Sequence, residues 1–178
     1  MYRSVVDVHL ILRDGRGQVL LAERASTGYA DGWIHVPGGK LEDGETAHAA
    51  AIREAREELG VKVDPDDVEF VTVVHHRSPQ CETRVGFFFT TRTWAGDPVN
   101  AEPDKCAGLL WADPATPPDN TWPYSRAGLA QLLTGGVPYT TTGWARPPDG
   151  HVIDVGACAA PTPTALPGPG TSHPEAGG

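Results

Sequence analysis

Apolar and polar positions alternate near the start of the chain. Val5-Val6-Asp7-Val8-His9-Leu10-Ile11-Leu12 is β-branched with a period close to two, and predicts a strand. Asp14-Gly15-Arg16-Gly17 turns the chain into a second predicted strand, Gln18 to Glu23. A third, Trp33 to Val36, is short and is broken by Pro37-Gly38-Gly39, where a loop is expected. The period then changes. From Thr46 to Leu59 the chain is dominated by Ala, Glu and Arg, which favour a helix, with Thr46 placed to cap its start and Gly60 to stop it. Val68 to His75 and Val85 to Thr93 predict two further strands joined around Ser78-Pro79-Gln80, and Leu109-Leu110-Trp111 a shorter one. Tyr124 to Thr134 carries Ala127, Leu129, Ala130, Leu132 and Leu133 before Gly135-Gly136, the pattern of a second helix. Strands around two helices predict a layered α/β (α+β) domain. Beyond about Trp144 the pattern collapses into Pro, Gly, Ala and Thr. Residues 1–145 are therefore expected to form the domain and 146–178 a disordered tail, with Val152-Ile153-Asp154-Val155 as a candidate edge strand.

Composition narrows this picture. The 178 residues suit one domain with an extension, and a hydrophobic fraction of 39% suffices for one core. No run reaches the ~18 apolar residues of a membrane helix, and Met1-Tyr2-Arg3-Ser4 does not open a secretory signal, so a cytoplasmic location with no membrane partner is expected. Cys81, Cys106 and Cys158 are odd in number and widely spaced, which suggests neither a disulfide framework nor a metal knuckle. Acidic residues outnumber basic ones 23 to 14, giving a formal charge of −9. Such a surface repels nucleic acid polymers at long range. A phosphorylated substrate would need its charge neutralised at the site, and divalent cations held by clustered acids would do so.

The first predicted helix supplies such a cluster. Glu54, Glu57 and Glu58 stand at i, i+3 and i+4, on one face within an arc of roughly 100°. Their mutual repulsion destabilises a helix, and Glu57 and Glu58 also lie in its last turn, the unfavourable end of the helix dipole for acids. A hard divalent ion such as Mg²⁺, which takes oxygen ligands, would offset both effects. The competing reading is a solvated face balanced by Arg53 and Arg56. The opposite side carries Ala47, Ala50, Ala51, Ala55 and Leu59, small enough for close packing on a sheet. Upstream, Pro37-Gly38-Gly39-Lys40 permits backbone conformations closed to other residues.

Taken as one pattern, Gly39, then Glu45 after five residues, then Arg53-Glu54-Ala55-Arg56-Glu57-Glu58-Leu59-Gly60-Val61 after seven more, resembles the Nudix box, Gly-x5-Glu-x7-Arg-Glu-U-x-Glu-Glu-x-Gly-U, where U is aliphatic. Every fixed letter is met, and Ala55 is a small occupant of the first aliphatic position. The likeness extends over about residues 4–144. It implies an α/β/α sandwich around a mixed β-sheet and a hydrolase, dependent on Mg²⁺ or Mn²⁺, that cuts the diphosphate linkage of a nucleoside diphosphate joined to some group X. It further implies that Glu54, Glu57 and Glu58 bind metal, with the Gly38 carbonyl as a further ligand, while Glu45 and Arg53 brace the loop. Glu102, in Asn100-Ala101-Glu102-Pro103, is the candidate for the acid that the family often places after the central strands. Glu57 is the first nominee to take the proton of the attacking water, with Glu54 or Glu102 as replacements.

Lys40 and Arg24 are candidates for phosphate contact and Trp33 and Trp111 for stacking a base, although such residues are more often surface and core respectively. His75 and His76 end a strand near where a ligand would sit. Subfamily signatures are weak. Arg77, Ser78 and Pro79 occupy the region where dinucleoside polyphosphate hydrolases often carry a Tyr, and the motifs of NADH and coenzyme A hydrolases are missing. By exclusion the chain resembles the nucleoside triphosphate pyrophosphohydrolases, which release monophosphate and pyrophosphate. The alternatives are a hydrolase of ADP-ribose, a nucleotide-sugar or another nucleotide-linked metabolite, and a Nudix ligand-sensing module without catalysis. A small-molecule nucleotide is the expected partner, and family likeness makes a homodimer an option.

Overall fold

A computed structural model describes residues 3–28, 30–78, 82–135 and 138–144. Its elements run Val5–Leu12 (β1), Val19–Arg24 (β2), Ile34–His35 (β3), Gly38–Lys40 (β4), Ala47–Leu59 (α1), a 3₁₀ turn at Pro65–Asp67, Glu69–Arg77 (β5), Thr83–Thr91 (β6), Cys106–Ala112 (β7), Pro123–Thr134 (α2) and Tyr139–Thr142 (β8). Five strands form a mixed sheet in the order β4-β1-β6-β5-β8, and three form a smaller sheet, β3-β2-β7. The β1–β6 and β5–β8 pairs are parallel and the others antiparallel.

The alternation of β1 divides the core into two layers. Val8, Leu10 and Leu12 pack with Ala50, Ala51, Ala55 and Leu59 of α1. Ile11 packs with Val74, Phe88 and, from α2, Tyr124 and Leu129. With α1 against β1 and α2 against β5 and β8, the sheet lies between two helical layers, the expected α/β/α sandwich. Close packing depends on small residues. A Cβ at Gly128 of α2 would overlap the buried ring of Phe88.

The two predicted helices match to within a residue or two, because their signals are local. The Thr46 hydroxyl accepts from the Ala49 amide at 3.2 Å, and Gly60 ends α1 in the left-handed region at φ 69°. Two strands were not foreseen. Gly38–Lys40, expected to be a loop, pairs with β1 in the register Val8↔Gly39. A Cβ at Gly38, where φ is +152°, would overlap the Val8 carbonyl and crowd His9, so only glycine lets the backbone lie that close. β8 has little apolar content and exists through its pairing with distant β5, from Val73↔Tyr139 to His76↔Thr142. The candidate strand at 152–155 and the tail at 146–178 lie outside the described residues.

Candidate active site

The acidic face of α1 is organised around Arg53. Its Nε and Nη2 donate to the two carboxylate oxygens of Glu45 at 3.1 and 2.7 Å, a bidentate pair. Its Nη1 donates to Glu54 at 2.8 Å and Glu57 at 3.1 Å, and Nη2 also reaches the Lys40 carbonyl at 3.2 Å. One guanidinium thus ties the β4 strand, the turn before α1 and two of the three helix acids together. Glu45 also accepts from the Glu42 amide at 2.9 Å, and the Arg53 hydrogen bonds, followed by that amide, hold its carboxyl below the usual range. Arg53 itself is pushed up, first by Glu45.

Glu58 has a different environment. It accepts from the Gly38 amide at 2.8 Å, and among the described residues no Lys or Arg forms an ion pair with it. Burial, only partly offset by that amide and reinforced by the nearby charges of Glu54 and Glu102, pushes its carboxyl up to about 8. Glu54 is also pushed up, first by burial, with the Arg53 hydrogen bond opposing. Glu54 lies directly over Gly39, where any Cβ would overlap its carboxylate. The glycine pair therefore has two tasks: one residue fits against β1, and the other leaves room for an acid.

Glu102 reaches this cluster through the helix end. The final carbonyls of α1 lack helical partners. Leu59 receives the Val99 amide at 2.9 Å and Glu58 the Ala101 amide at 3.0 Å. These bonds dock the loop so that Glu102 shares with Glu58 the lining of a small cavity of about 80 Å³. Glu102 is paired with Lys105 at 2.8 Å.

A second, larger cavity measures about 340 Å³, and Arg24 and His35 line both. Gly38, Gly39 and Lys40 form one border of the larger cavity, and Asp7, His9, His76, Arg84, Tyr124 and Ser125 reach it from β1, β5, β6 and α2. Arg84 Nη1 holds both oxygens of Asp7, at 3.0 and 2.9 Å. Burial pushes His35 down to about 4, leaving it neutral at pH 7.

Of the residues singled out in the sequence, Glu45, Arg53, Glu54, Glu57, Glu58, Gly38 and Glu102 are gathered around the end of α1 and β4, and Lys40 and Arg24 stand at the cavities. No three His, Cys, Asp or Glu among the described residues are gathered as a metal-holding group. The two tryptophans lie elsewhere. Trp33 packs edge-on to Trp122 at 5.3 Å, and Trp111, 37% exposed, stacks on Trp94 at 6.1 Å; neither lines the cavities. His76 lines the larger cavity, whereas the ring of His75 lies near Trp144 at 4.7 Å. Sequence reasoning missed Asp7, His9, Arg84 and Tyr124. A signal existed for two of them, since Asp7 and His9 are polar residues at alternate positions of an otherwise apolar strand.

A layered α/β/α fold with an acidic helix braced against a glycine edge strand, beside a polar cavity, has the build of a hydrolase. The chain belongs to the NUDIX domain family, whose sequence pattern matches residues 3–132. An 8-oxo-dGTP diphosphatase of Proteus vulgaris is 33% identical over 81 residues, 46% of this chain and 70% of that protein. An RNA pyrophosphohydrolase of Teredinibacter turnerae is 40% identical over 78 residues, 42% of this chain and 43% of that protein. Among solved structures, a MutT NUDIX hydrolase from Burkholderia pseudomallei superposes with a TM-score of 0.67 at 26% identity, covering 74% of this chain and 99% of that one. No helix among the described residues is long and apolar enough to cross a membrane.

Proposed function

We propose that this chain is a divalent-cation-dependent pyrophosphohydrolase of nucleoside triphosphates, releasing a monophosphate and pyrophosphate. The observation that carries the reading is Glu58, a partly buried carboxyl without an ion-pair partner among the described residues, beside Glu54 and Glu102 at the border of a cavity. The donor set fits Mg²⁺ or Mn²⁺, because Glu54, Glu57, Glu58, Glu102 and the Gly38 carbonyl offer only oxygen. Antiparallel geometry supports the last of these. A residue whose amide points off a strand pair directs its carbonyl off the same edge, and the Gly38 amide points to Glu58. A bound divalent cation would supply positive charge against the phosphates and acidify water at the site.

The chain's own side chains then have distinct tasks. Arg53 and Glu45 hold the α1 face against β4 and so fix where the carboxylates stand. Glu57, 53% exposed at its side chain and paired with Arg53, would accept the proton of an attacking water. Lys40 and Arg24 border the larger cavity and can meet phosphate oxygens. That cavity, about 340 Å³, falls within the ~300–1,000 Å³ usual for ligand pockets, and takes the group attached to the phosphates. The triphosphate reading is supported by the relatives named above, a diphosphatase of 8-oxo-dGTP and an RNA pyrophosphohydrolase.

The test is a nucleotide panel assayed with Mg²⁺ or Mn²⁺ and with products identified. Monophosphate and pyrophosphate support the proposal. Monophosphate with a second phosphorylated group would move the activity to a nucleotide-linked metabolite, and binding without turnover would make the domain a sensor.

A further inference from the structure

The ion pair of Asp7 with Arg84 lies apart from the acids of α1 and lines the larger cavity. Side-chain alternation places it. In β1, Val8, Leu10 and Leu12 face α1, so Asp7, His9 and Ile11 face α2. In β6, Phe88 belongs to the α2 layer, and Arg84, four residues earlier in an unbroken register, shares its face. Lys40 pairs with Asp7 and lies on that face as well, whereas Gly39 pairs with Val8 and turns to Glu54.

The pair is costly where it stands. Asp7 is 5% exposed, and the layer on its face is built from Ile11, Val74, Phe88 and Tyr124. An apolar pair of similar volume commonly fills such a place without loss of stability. Both carboxylate oxygens of Asp7 accept from Arg84 Nη1, and among the described residues its side chain has no other hydrogen-bond partner. What the pair accomplishes is therefore to fix the Arg84 guanidinium, not to close the core.

Arg84 is held by one nitrogen alone. Its Nε and Nη2 have no hydrogen-bond partner among the described residues, and neither is among the buried unpartnered atoms, so both stay open to solvent. The side chain is 34% exposed. Nε and Nη2 lie along one edge of the guanidinium and present two parallel donors, the edge with which Arg53 grips both oxygens of Glu45. Such a fork fits two adjacent acceptors in one plane.

A phosphate also carries paired acceptors, but Asp7 already balances the charge of Arg84 and Glu82 lines the same cavity, so an anion is not favoured there. In the sheet order β4-β1-β6, Arg84 stands two strand spacings, about 10 Å, from the glycine strand beside the acids. Trp122 borders the cavity too, an aromatic surface for a planar ring. We propose that Arg84 is a specificity-determining residue, with Asp7 as its positioning residue, and that it reads two adjacent in-plane acceptors on the base of the substrate. The inference rests on the nucleotide reading of the cavity given above. Guanine offers such a pair at O6 and N7, and cytosine at O2 and N3; adenine and uracil offer none.

Steady-state kinetics of the full chain in Mg²⁺ with GTP, CTP, ATP and UTP tests it. KM for GTP or CTP should lie about tenfold below KM for ATP and UTP, the discrimination expected of one bidentate contact. 7-Deaza-GTP, with carbon in place of N7, should lose the advantage of GTP if the guanine edge is read; a preference for CTP assigns the cytosine edge. Arg84→Lys keeps the charge but not the fork. It should raise KM for the favoured nucleotide about tenfold, leave kcat nearly unchanged and erase the preference. Asp7→Asn should do the same and add little when combined with Arg84→Lys. Because each single variant leaves a polar group poorly matched on an apolar face, Asp7→Leu/Arg84→Met replaces the whole pair; it should unfold cooperatively and show the same loss of preference. A wild type without base preference would overturn the proposal, as would 7-deaza-GTP matching GTP where GTP is favoured. So would a preference that survives in Arg84→Lys or the double variant, or an equal rise of KM for all four nucleotides. If the wild type hydrolyses none of them, the hydrolase reading falls instead, and dissociation constants from calorimetric titration with the same nucleotides and variants decide this inference by the same criteria.

Discussion

Glu58→Gln should make the metal-free protein more stable at alkaline pH, although it removes a residue central to the site. The carboxyl that ordinarily titrates near 4.5 does so at about 8 in the fold, so the folded state holds its proton more tightly than the unfolded chain. Its stabilising contribution is complete below 4.5 and is lost as pH rises to about 8. At ~1.4 kcal/mol per pH unit, that window amounts to about 5 kcal/mol, of which relaxation and water penetration leave roughly 2–3 kcal/mol. Glutamine keeps an oxygen for the Gly38 amide and carries no charge, so it avoids the loss. Thermal unfolding in EDTA should give Tm values that converge at pH 4 and differ at pH 9 by roughly 5–10 °C in favour of the variant. Saturating Mg²⁺ or Mn²⁺ should raise the wild-type Tm at pH 9 and leave the variant nearly unchanged. A wild type that equals or exceeds the variant at pH 9 without metal would refute the claim that Glu58 is a partly buried, uncompensated charge.

Glu57→Gln should leave the fold intact, by circular dichroism, and lower turnover by orders of magnitude; near-normal activity would remove it as ligand or base. Gly39→Ala should expel the Glu54 carboxylate, which lies where the new Cβ would be, and cut kcat about 100-fold while thermal unfolding stays cooperative. Arg53→Lys cannot reproduce the bidentate hold on Glu45 together with the bonds to Glu54 and Glu57, so kcat should fall at least tenfold, a result checked by the same assay. Gly128→Ala, far from the chemistry, should destabilise the protein by about 1–3 kcal/mol in urea unfolding because its methyl meets the Phe88 ring in the core.

The sequence by itself determined the helix and its acidic face. Caps at Thr46 and Gly60 and the i, i+3, i+4 spacing of Glu54, Glu57 and Glu58 are local properties that any chain folding there must express. The strands of β1, β2, β5 and β6 were legible for the same reason, since side-chain alternation is written in the residues themselves. What required tertiary structure is everything that depends on residues far apart in the chain. Neighbouring Glu57 and Glu58 look equivalent in sequence, yet one meets Arg53 near solvent and the other is partly buried beside Gly38 and the loop holding Glu102. Gly39 makes room for Glu54 across 15 positions, β8 finds β5 only once the sheet exists, and the polar wall of the larger cavity draws on positions 7, 9, 76, 84 and 124. Burial and partner choice are set by such long-range contacts, and they convert a row of similar acids into groups with different charges and different work.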